Sequence, residues 1–119
     1  MSIRQFLQVG LQFVSHLETH HSIEEHYVFP ELGRKMTKFC KNEHLINQHK
    51  QIHKGLEDME TYLDKCRSGE IELQLKELKT VMDGFGKVLW DHLDDEVREL
   101  GAENMRKFWT RDEMKKLQL

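Results

Sequence analysis

The sequence contains little proline, little cysteine and no excess of basic charge. Its 119 residues include one proline and two cysteines, Cys40 and Cys66, and the formal net charge is −3. The cysteines lie far apart without a CxxC spacing, which argues against a disulfide framework or a zinc knot and is typical of a reducing, intracellular compartment. Domains that bind nucleic acid normally have a basic face, so we expect no nucleic-acid partner.

Long apolar runs are also missing. No run approaches the roughly 20 residues of a membrane span, so we expect no membrane partner. The first residues, MSIRQFLQVGLQFVSHLE, are amphipathic and lack the basic start and unbroken apolar block of a secretory signal. We therefore predict a cytoplasmic protein, and the chain length predicts a single domain over residues 1–119.

The apolar residues that are present have the spacing of helices. In the first segment they fall on one stripe with a period of 3.6 residues: Phe6, Val9, Phe13, Leu17 and Val28. Pro30 with Gly33 marks the end of that helix. A second helix is predicted from an N-cap at Asn42 to a stop at Ser68 and Gly69.

A third helix is predicted from near Glu70. Gly84 and Gly86 lower the helix propensity in its middle, which indicates close helix packing or a local bend. The last 20 or so residues, with Phe108, Trp109, Met114 and Leu117, are predicted to form one short helix that folds back. Three long helices with short connections predict an all-α, up-down antiparallel bundle.

Each long helix has two side chains of the metal-ligand type, four residues apart on its apolar stripe. The pairs are His20 with Glu24, His49 with His53, and His92 with Glu96, within the segments HHSIE, HKQIH and HLDDE. Residues four apart lie on one helical face about a turn apart, so both members can reach one metal centre. One such pair is weak evidence, but three pairs in successive helices predict a shared site.

These six side chains need a compensating cation if they are buried, because isolated buried charges cost many kcal/mol. Four imidazoles and two carboxylates suit iron, manganese or zinc, and the set is too large for one tetrahedral zinc ion. Two metal ions bridged by Glu24 and Glu96 would use the whole set. Spacing alone barely separates His20 with Glu24 from the alternative pair, His21 with Glu25.

Together these motifs resemble the hemerythrin-like domain, the HHE cation-binding family, from Phe6 to Leu100. HHSIEEHYVFP is similar to the family's signature of a histidine, a glutamate four residues later, a second glutamate, an apolar pair and proline. That likeness favours His20 with Glu24 over the alternative pair. HKQIHKGLEDMETYL and HLDDE are similar to later helices of the family. The resemblance implies a four-helix bundle with two non-haem irons, rather than zinc or manganese, for binding dioxygen, handling iron, or sensing oxygen or redox state.

Two features depart from the family's pattern. The family normally has another helix, with a histidine ligand, before the segment HHSIEEH, and we expect this chain to lack it. A truncated form of a longer protein would explain this, and the exposed groove would be covered by the C-terminal segment or by a second copy in a homodimer. Oxygen carriers have an aspartate five residues after the last histidine, where this chain has Val97. Because Glu96 comes four after His92, simple reversible oxygen carriage is disfavoured.

Our leading hypothesis is a non-haem di-iron protein that takes dioxygen or peroxide as its small ligand. In it, nitrogen comes from His20, His49, His53 and His92, and the bridging carboxylates are Glu24 and Glu96. No substrate-orienting constellation is present, so we expect a metal- or oxygen-binding protein rather than an enzyme. The alternative hypothesis is a helical interaction module with a degenerate or empty metal site that dimerises or binds a partner helix.

Overall fold

Helices dominate the part of the chain that the structure describes. The computed structural model describes residues 1–36, 39 and 44–117. The long helices are α1 (Ile3–Ile23), α3 (His44–Arg67) and α4 (Leu75–Leu100). The short elements are a π-helical turn (Glu24–Val28), α2 (Phe29–Leu32), α5 (Ala102–Met105) and α6 (Arg111–Lys116). No β-strand occurs in these ranges, which confirms the predicted all-α class.

Helix α1 packs antiparallel to α3. It begins at a capping box, in which the Ser2 hydroxyl accepts from the Gln5 backbone N–H and the Gln5 side chain accepts from the Ser2 N–H. Gly10, near the start of α1, lies against Leu63, near the end of α3. The N-cap predicted for α3 at Asn42 lies outside the described residues.

Helix α4 packs antiparallel to α3 as well. Gln48 near the start of α3 bonds Asp95 near the end of α4, and Tyr62 near the end of α3 bonds Glu77 near the start of α4. The predicted up-down order is therefore confirmed. Helix α3 lies in the middle, because α1 and α4 each pack against it and have no comparable contact with each other.

The close helix approach in this bundle is at Gly55 of α3. A Cβ atom there would lie 2.3 Å from the Phe85 Cβ of α4, so only glycine fits without a shift of the helices. An added Cβ at Gly84 or Gly86 would meet nothing within 4 Å. The close packing predicted at those two glycines is wrong: Gly84 borders a cavity that Gln48 and Gln51 of α3 also line, and it does not touch the facing helix.

The connection between α3 and α4 is longer than predicted. Gly69 has a left-handed φ of 82°, as expected for a glycine that follows a helix. Helix α4, however, begins at Leu75 and not near Glu70. The Tyr62 hydroxyl accepts a hydrogen bond of 3.0 Å from the Gln74 backbone N–H, and Gln74 is extended. This contact delays the start of the helix.

The buried face of α1 matches the predicted stripe only in part. Leu7, Val14 and His21, spaced by seven residues, are buried, and Phe6 and Leu17 of the predicted stripe pack against the same core. Val9 and Phe13, in contrast, are 51% and 40% exposed. The apolar stripe that periodicity predicts therefore borders the buried face and does not coincide with it.

The π-helical turn explains why a single period does not describe the whole first segment. Its last bond runs from the Phe29 N–H to the Glu24 carbonyl, five residues back. Pro30 follows and has no N–H with which to extend an α-helical bond series. A π turn contains one extra residue, so it shifts the phase of all later side chains relative to α1. Gly33 then ends the helical run, as predicted.

A second apolar cluster closes one end of the bundle. Its buried members are Phe29, Leu32, Met36, Phe39, Leu45, Met105 and Trp109. The Arg34 and Lys35 cations lie 5.5 Å and 5.0 Å from the Trp109 ring centroid. The C-terminal segment forms two short helices instead of the predicted one, because Thr110 caps a separate turn. The C-terminal segment packs against this second apolar cluster, at the end of the bundle.

Apolar side chains of α1 and α4 remain partly exposed, and we call this surface the α1–α4 groove. Its exposed residues, each 38–51% accessible, are Val9, Phe13, Met82, Leu93 and Leu100. The radius of gyration is 17.4 Å, against about 13.5 Å for a compact chain of this length. A second copy of the chain as the partner of this groove stays a prediction. Within the described ranges, no helix has both the length and the apolar character needed to cross a bilayer.

Candidate metal centre

Four buried side chains from four elements of the chain converge inside the bundle. They are His21 of α1, Glu24 of the π-helical turn, His49 of α3 and His92 of α4, and one ligand-type atom from each lies within 4.8 Å of all the others. Glu96, one turn after His92, contacts it at 3.0 Å. We call these five residues the central cluster.

The π-helical turn places two consecutive glutamates on the same imidazole. Glu24 Oε1 lies 3.2 Å from His49 Nε2, and Glu25 Oε1 lies 3.2 Å from His49 Nδ1. The wider π turn brings the directions of successive side chains closer together than an α-helix does. His49 is therefore contacted at both ring nitrogens, and its ring stacks on that of His21 with centroids 3.9 Å apart.

His92 is held by a buried glutamine. Its Nδ1 lies 2.9 Å from Gln48 Oε1, and Gln48 Nε2 donates to Asp95 Oδ2 at 2.8 Å. The Asp95 carboxylate can only accept, so the Gln48 amide must turn its NH₂ toward Asp95 and its carbonyl toward His92. His92 therefore donates from Nδ1, and in the neutral ring the electron pair is on Nε2, which lies 3.0 Å from Glu96 Oε1.

The hydrogen-bond partner of His49 also determines which of its ring nitrogens carries the proton. Its Nδ1 donates to the Glu25 carboxylate, so a neutral ring has no proton on Nε2. The Nε2 atoms of His49 and His92 lie 3.0 Å apart. Within the described residues, the neighbouring oxygens Glu24 Oε1 and Glu96 Oε1 are buried and accept no hydrogen bond. Two imidazole nitrogens and two carboxylate oxygens thus face one another in a buried space.

Burial keeps two histidines of the central cluster, His21 and His49, neutral. Burial, and then repulsion from His49 and His92, lowers the pKa of His21 to about 3. Burial, and then repulsion from His92, lowers the pKa of His49 to about 4. Neutral imidazole is the form that binds metals, so at neutral pH neither ring has to release a proton first.

The two carboxyl groups of the cluster behave as a coupled pair. Burial, together with the contact with Glu96, raises the pKa of Glu24 to about 9. Burial also acts to raise the pKa of Glu96, but its contacts with His92 and Glu24 outweigh burial and lower it to about 2. At neutral pH one proton is shared between two buried carboxylates, and a cation bound there would displace it.

A metal ion fits this arrangement. Buried acceptors without hydrogen-bond donors are rare in native proteins because each one costs free energy. A cation between the four atoms would convert their repulsion into coordination. The donors are imidazole nitrogens and carboxylate oxygens, the set preferred by iron, manganese and zinc. The chemistry that the cluster supports is therefore metal binding.

The structure brings together four of the six residues that the sequence predicts as ligands: Glu24, His49, His92 and Glu96. The His20 side chain is 62% exposed, with its Nε2 3.6 Å from Glu24 Oε2. The expected inward orientation of His20 is wrong, because His21 is buried at the inward phase of α1 and the neighbouring His20 lies roughly 100° away around the helix.

His53 also points away from the central cluster. Its side chain is 59% exposed, and its two ring nitrogens contact Glu18 at 3.2 Å and Glu57 at 2.9 Å. The buried face of α3 continues from His49 through Ile52 and Leu56, and His53, one residue after Ile52, lies off that face. The inward orientation predicted for His53 is wrong in this structure, and the role of all six residues as ligands stays a prediction.

Sequence reasoning left His21 and Glu25 undecided and missed Gln48. His21 and Glu25 were the open alternative, and its signal was the seven-residue spacing from Leu7 through Val14 to His21. Gln48 precedes His49 directly, but nothing in the spacing marks it as a partner of His92. Such contacts depend on how two helices are rotated relative to each other. The apolar periodicity of one sequence gives the buried face of each helix but not that rotation.

A cleft leads from the surface to this cluster between α1 and α3. It has a volume of about 530 Å³, and its lining includes His21, Glu25, His49, Lys50 and His53. Because two of those histidines belong to the central cluster, the cleft gives small molecules a path to it.

Comparison with known proteins agrees with this geometry. A family model, the Hemerythrin HHE cation binding domain, matches residues 2–103. The chain is 27% identical over 107 residues to "Dimeric xanthone biosynthesis cluster protein R11" of Cryptosporiopsis sp. (strain 8999), a match that covers 82% of this chain and 38% of that protein. The chain thus spans less than half of the length of that relative. No solved structure matches the chain significantly. The chain belongs to the hemerythrin HHE cation-binding domain family.

Proposed function

We propose that this protein binds non-haem iron, two ions per chain, and takes dioxygen or peroxide as its small ligand. The observation that carries the proposal is the meeting of four bare acceptor atoms, two imidazole nitrogens 3.0 Å apart and two buried carboxylate oxygens. Only a proton or a metal ion placed between these acceptor atoms can offset their mutual repulsion. One proton is shared by Glu24 and Glu96, and the lowered pKa of His49, to about 4, disfavours a further proton on that imidazole.

Iron accounts for the ligand set better than zinc does. The central cluster offers five side chains, and structural zinc sites are almost always closed by four. Iron accepts mixed imidazole and carboxylate ligands and a larger coordination number. Bound there, iron would supply a centre that cycles between ferrous and ferric states, while the chain fixes its geometry and limits water.

The position of Glu24 supports two ions rather than one. Its Oε1 faces His49 Nε2 at 3.2 Å, and its Oε2 faces His20 Nε2 at 3.6 Å. One carboxylate thus has an oxygen on each side, as a bridging ligand requires. The inner position has His21, His49 and His92, whereas the outer position has His20 alone among the described histidines and lies beside the α1–α4 groove. We expect the inner ion to bind more tightly.

Iron loading tests this proposal. Ferrous iron added without oxygen to the metal-free protein should give close to two ions per chain by elemental analysis, in two steps of different affinity. Admission of oxygen should then produce a visible charge-transfer absorption band. Zinc loading should give no colour and serves as the matched control. Iron content below one ion per chain, with no band, would refute the proposal.

A further inference from the structure

We propose that Gln48 and Glu25 are positioning residues that hold His92 and His49 with a proton on Nδ1 and a bare Nε2 directed into the cluster, so that the inner metal position is organised before any ion arrives. The inference rests on the proposed metal-binding function, and it goes beyond that function by naming residues that touch no metal. Tautomer choice matters because an imidazole protonated on the inward nitrogen cannot coordinate an ion.

Gln48 can impose one orientation on His92 because its own amide has no freedom to rotate. The side chain is buried, and its NH₂ donates to Asp95 Oδ2 at 2.8 Å. Asp95 is itself fixed by Arg98 and by His44 Nε2 at 2.7 Å. A rotated amide would set its carbonyl oxygen against the Asp95 carboxylate and its NH₂ against His92, which would lose two hydrogen bonds at once.

Glu25 acts on His49 from the opposite side of the ring. Its Oε1 accepts from Nδ1 at 3.2 Å, and the carboxylate reaches solvent through the cleft between α1 and α3. The His49 ring cannot turn away easily, because it is stacked between the His21 ring, 3.9 Å away, and the Phe29 ring, 5.2 Å away. A hydrogen-bonded carboxylate also makes an imidazole a stronger donor to metals.

Gln48 contributes a neutral amide and Glu25 a carboxylate, so each residue is tested with its own substitutions. Gln48→Leu removes the acceptor for His92 while keeping the volume of the side chain similar. Glu25→Leu removes the acceptor for His49 at a partly exposed site where folding is not at risk. Glu25→Gln keeps a carbonyl that can accept from Nδ1, so it tests rescue. Gln51→Leu, on the exposed face of α3, is the matched control.

Long-range ¹H–¹⁵N spectra of the metal-free protein, labelled with ¹⁵N at histidine, report each tautomer directly. In the wild type and in Gln51→Leu, His49 and His92 should both be protonated at Nδ1 alone. Gln48→Leu should give a mixture of tautomers at His92, and Glu25→Leu should give one at His49, with Glu25→Gln close to the wild type. Iron affinity of the two leucine variants should fall roughly 10–100-fold.

The outcomes separate this inference from the function on which it rests. If the wild-type tautomers are as stated but iron does not bind, the proposed function fails and the positioning roles stand. If His49 keeps its Nδ1 proton fully in Glu25→Leu, or if the two histidines are protonated at Nε2 in the wild type, the positioning roles are wrong. A loss of iron binding with unchanged tautomers would also overturn them. Glu25→Leu keeps the test decisive if Gln48→Leu does not fold.

Discussion

Replacement of both His49 and His92 by alanine is expected to lower the iron affinity of the inner position by about 1,000-fold or more. A four-ligand structural metal site contributes about 10–16 kcal/mol, so each ligand accounts for several kcal/mol, and two are lost here. The remaining cluster residues, His21, Glu24 and Glu96, then offer a single imidazole. Isothermal titration with ferrous iron under anaerobic conditions measures the change.

A matched control exists on the same chain. His16 and His26 are exposed and lie outside the central cluster, so the His16→Ala, His26→Ala variant removes the same number of imidazoles. Its iron affinity should equal that of the wild type within a factor of about two. Equal losses in the two double variants would mean that iron binds to surface histidines, and the central cluster would then not be the metal centre.

Iron loading is expected to raise the midpoint of thermal unfolding by about 10 °C. An ion that binds only the folded state at 100 times its dissociation constant stabilises it by about 2.7 kcal/mol. For a chain of 119 residues, each kcal/mol corresponds to a few degrees. The metal-free protein also carries the repulsion of four facing acceptors, which the ion removes. Calorimetry before and after loading, and again after chelation, measures the shift.

The double variant His49→Ala, His92→Ala supplies the control for this stabilisation. This variant lacks two ligands of the inner metal position. The midpoint of its thermal unfolding should therefore not change at iron concentrations that saturate the wild type. A chelator should return the wild type to its metal-free midpoint. An unchanged midpoint in the wild type at saturating iron would mean that bound iron does not act on the folded core.

Much of this fold is predictable from the sequence because helical period and helix breakers are local. Pro30 and Gly33 ended the first helical run as expected, and Gly69 ended α3. His49 and His92 were found as inward residues because each shares the apolar phase of a long, regular helix without interruption. In α3, for example, His49 is followed on the buried face by Ile52 and Leu56.

The remaining details depend on tertiary contacts or on local irregularity. The π-helical turn at Glu24–Val28 changes the phase within the first segment, so no single period could choose His21 over His20. Resemblance to the family's signature favoured His20, and the structure places His21 in the cluster. Nothing in the sequence distinguishes Gly55 from other helix glycines, and only the structure shows that Phe85 packs against it. Gln48 became visible as a partner of His92 only when α4 was in place.

The most direct test of the central claim is the position of iron in a crystal of the loaded protein, measured by anomalous scattering at the iron edge. We predict a strong peak bonded to His49 Nε2 and His92 Nε2 and shared with Glu24 and Glu96, and a weaker second peak on the His20 side of Glu24. Iron found instead between Glu18, His53 and Glu57, with none in the central cluster, would contradict the account.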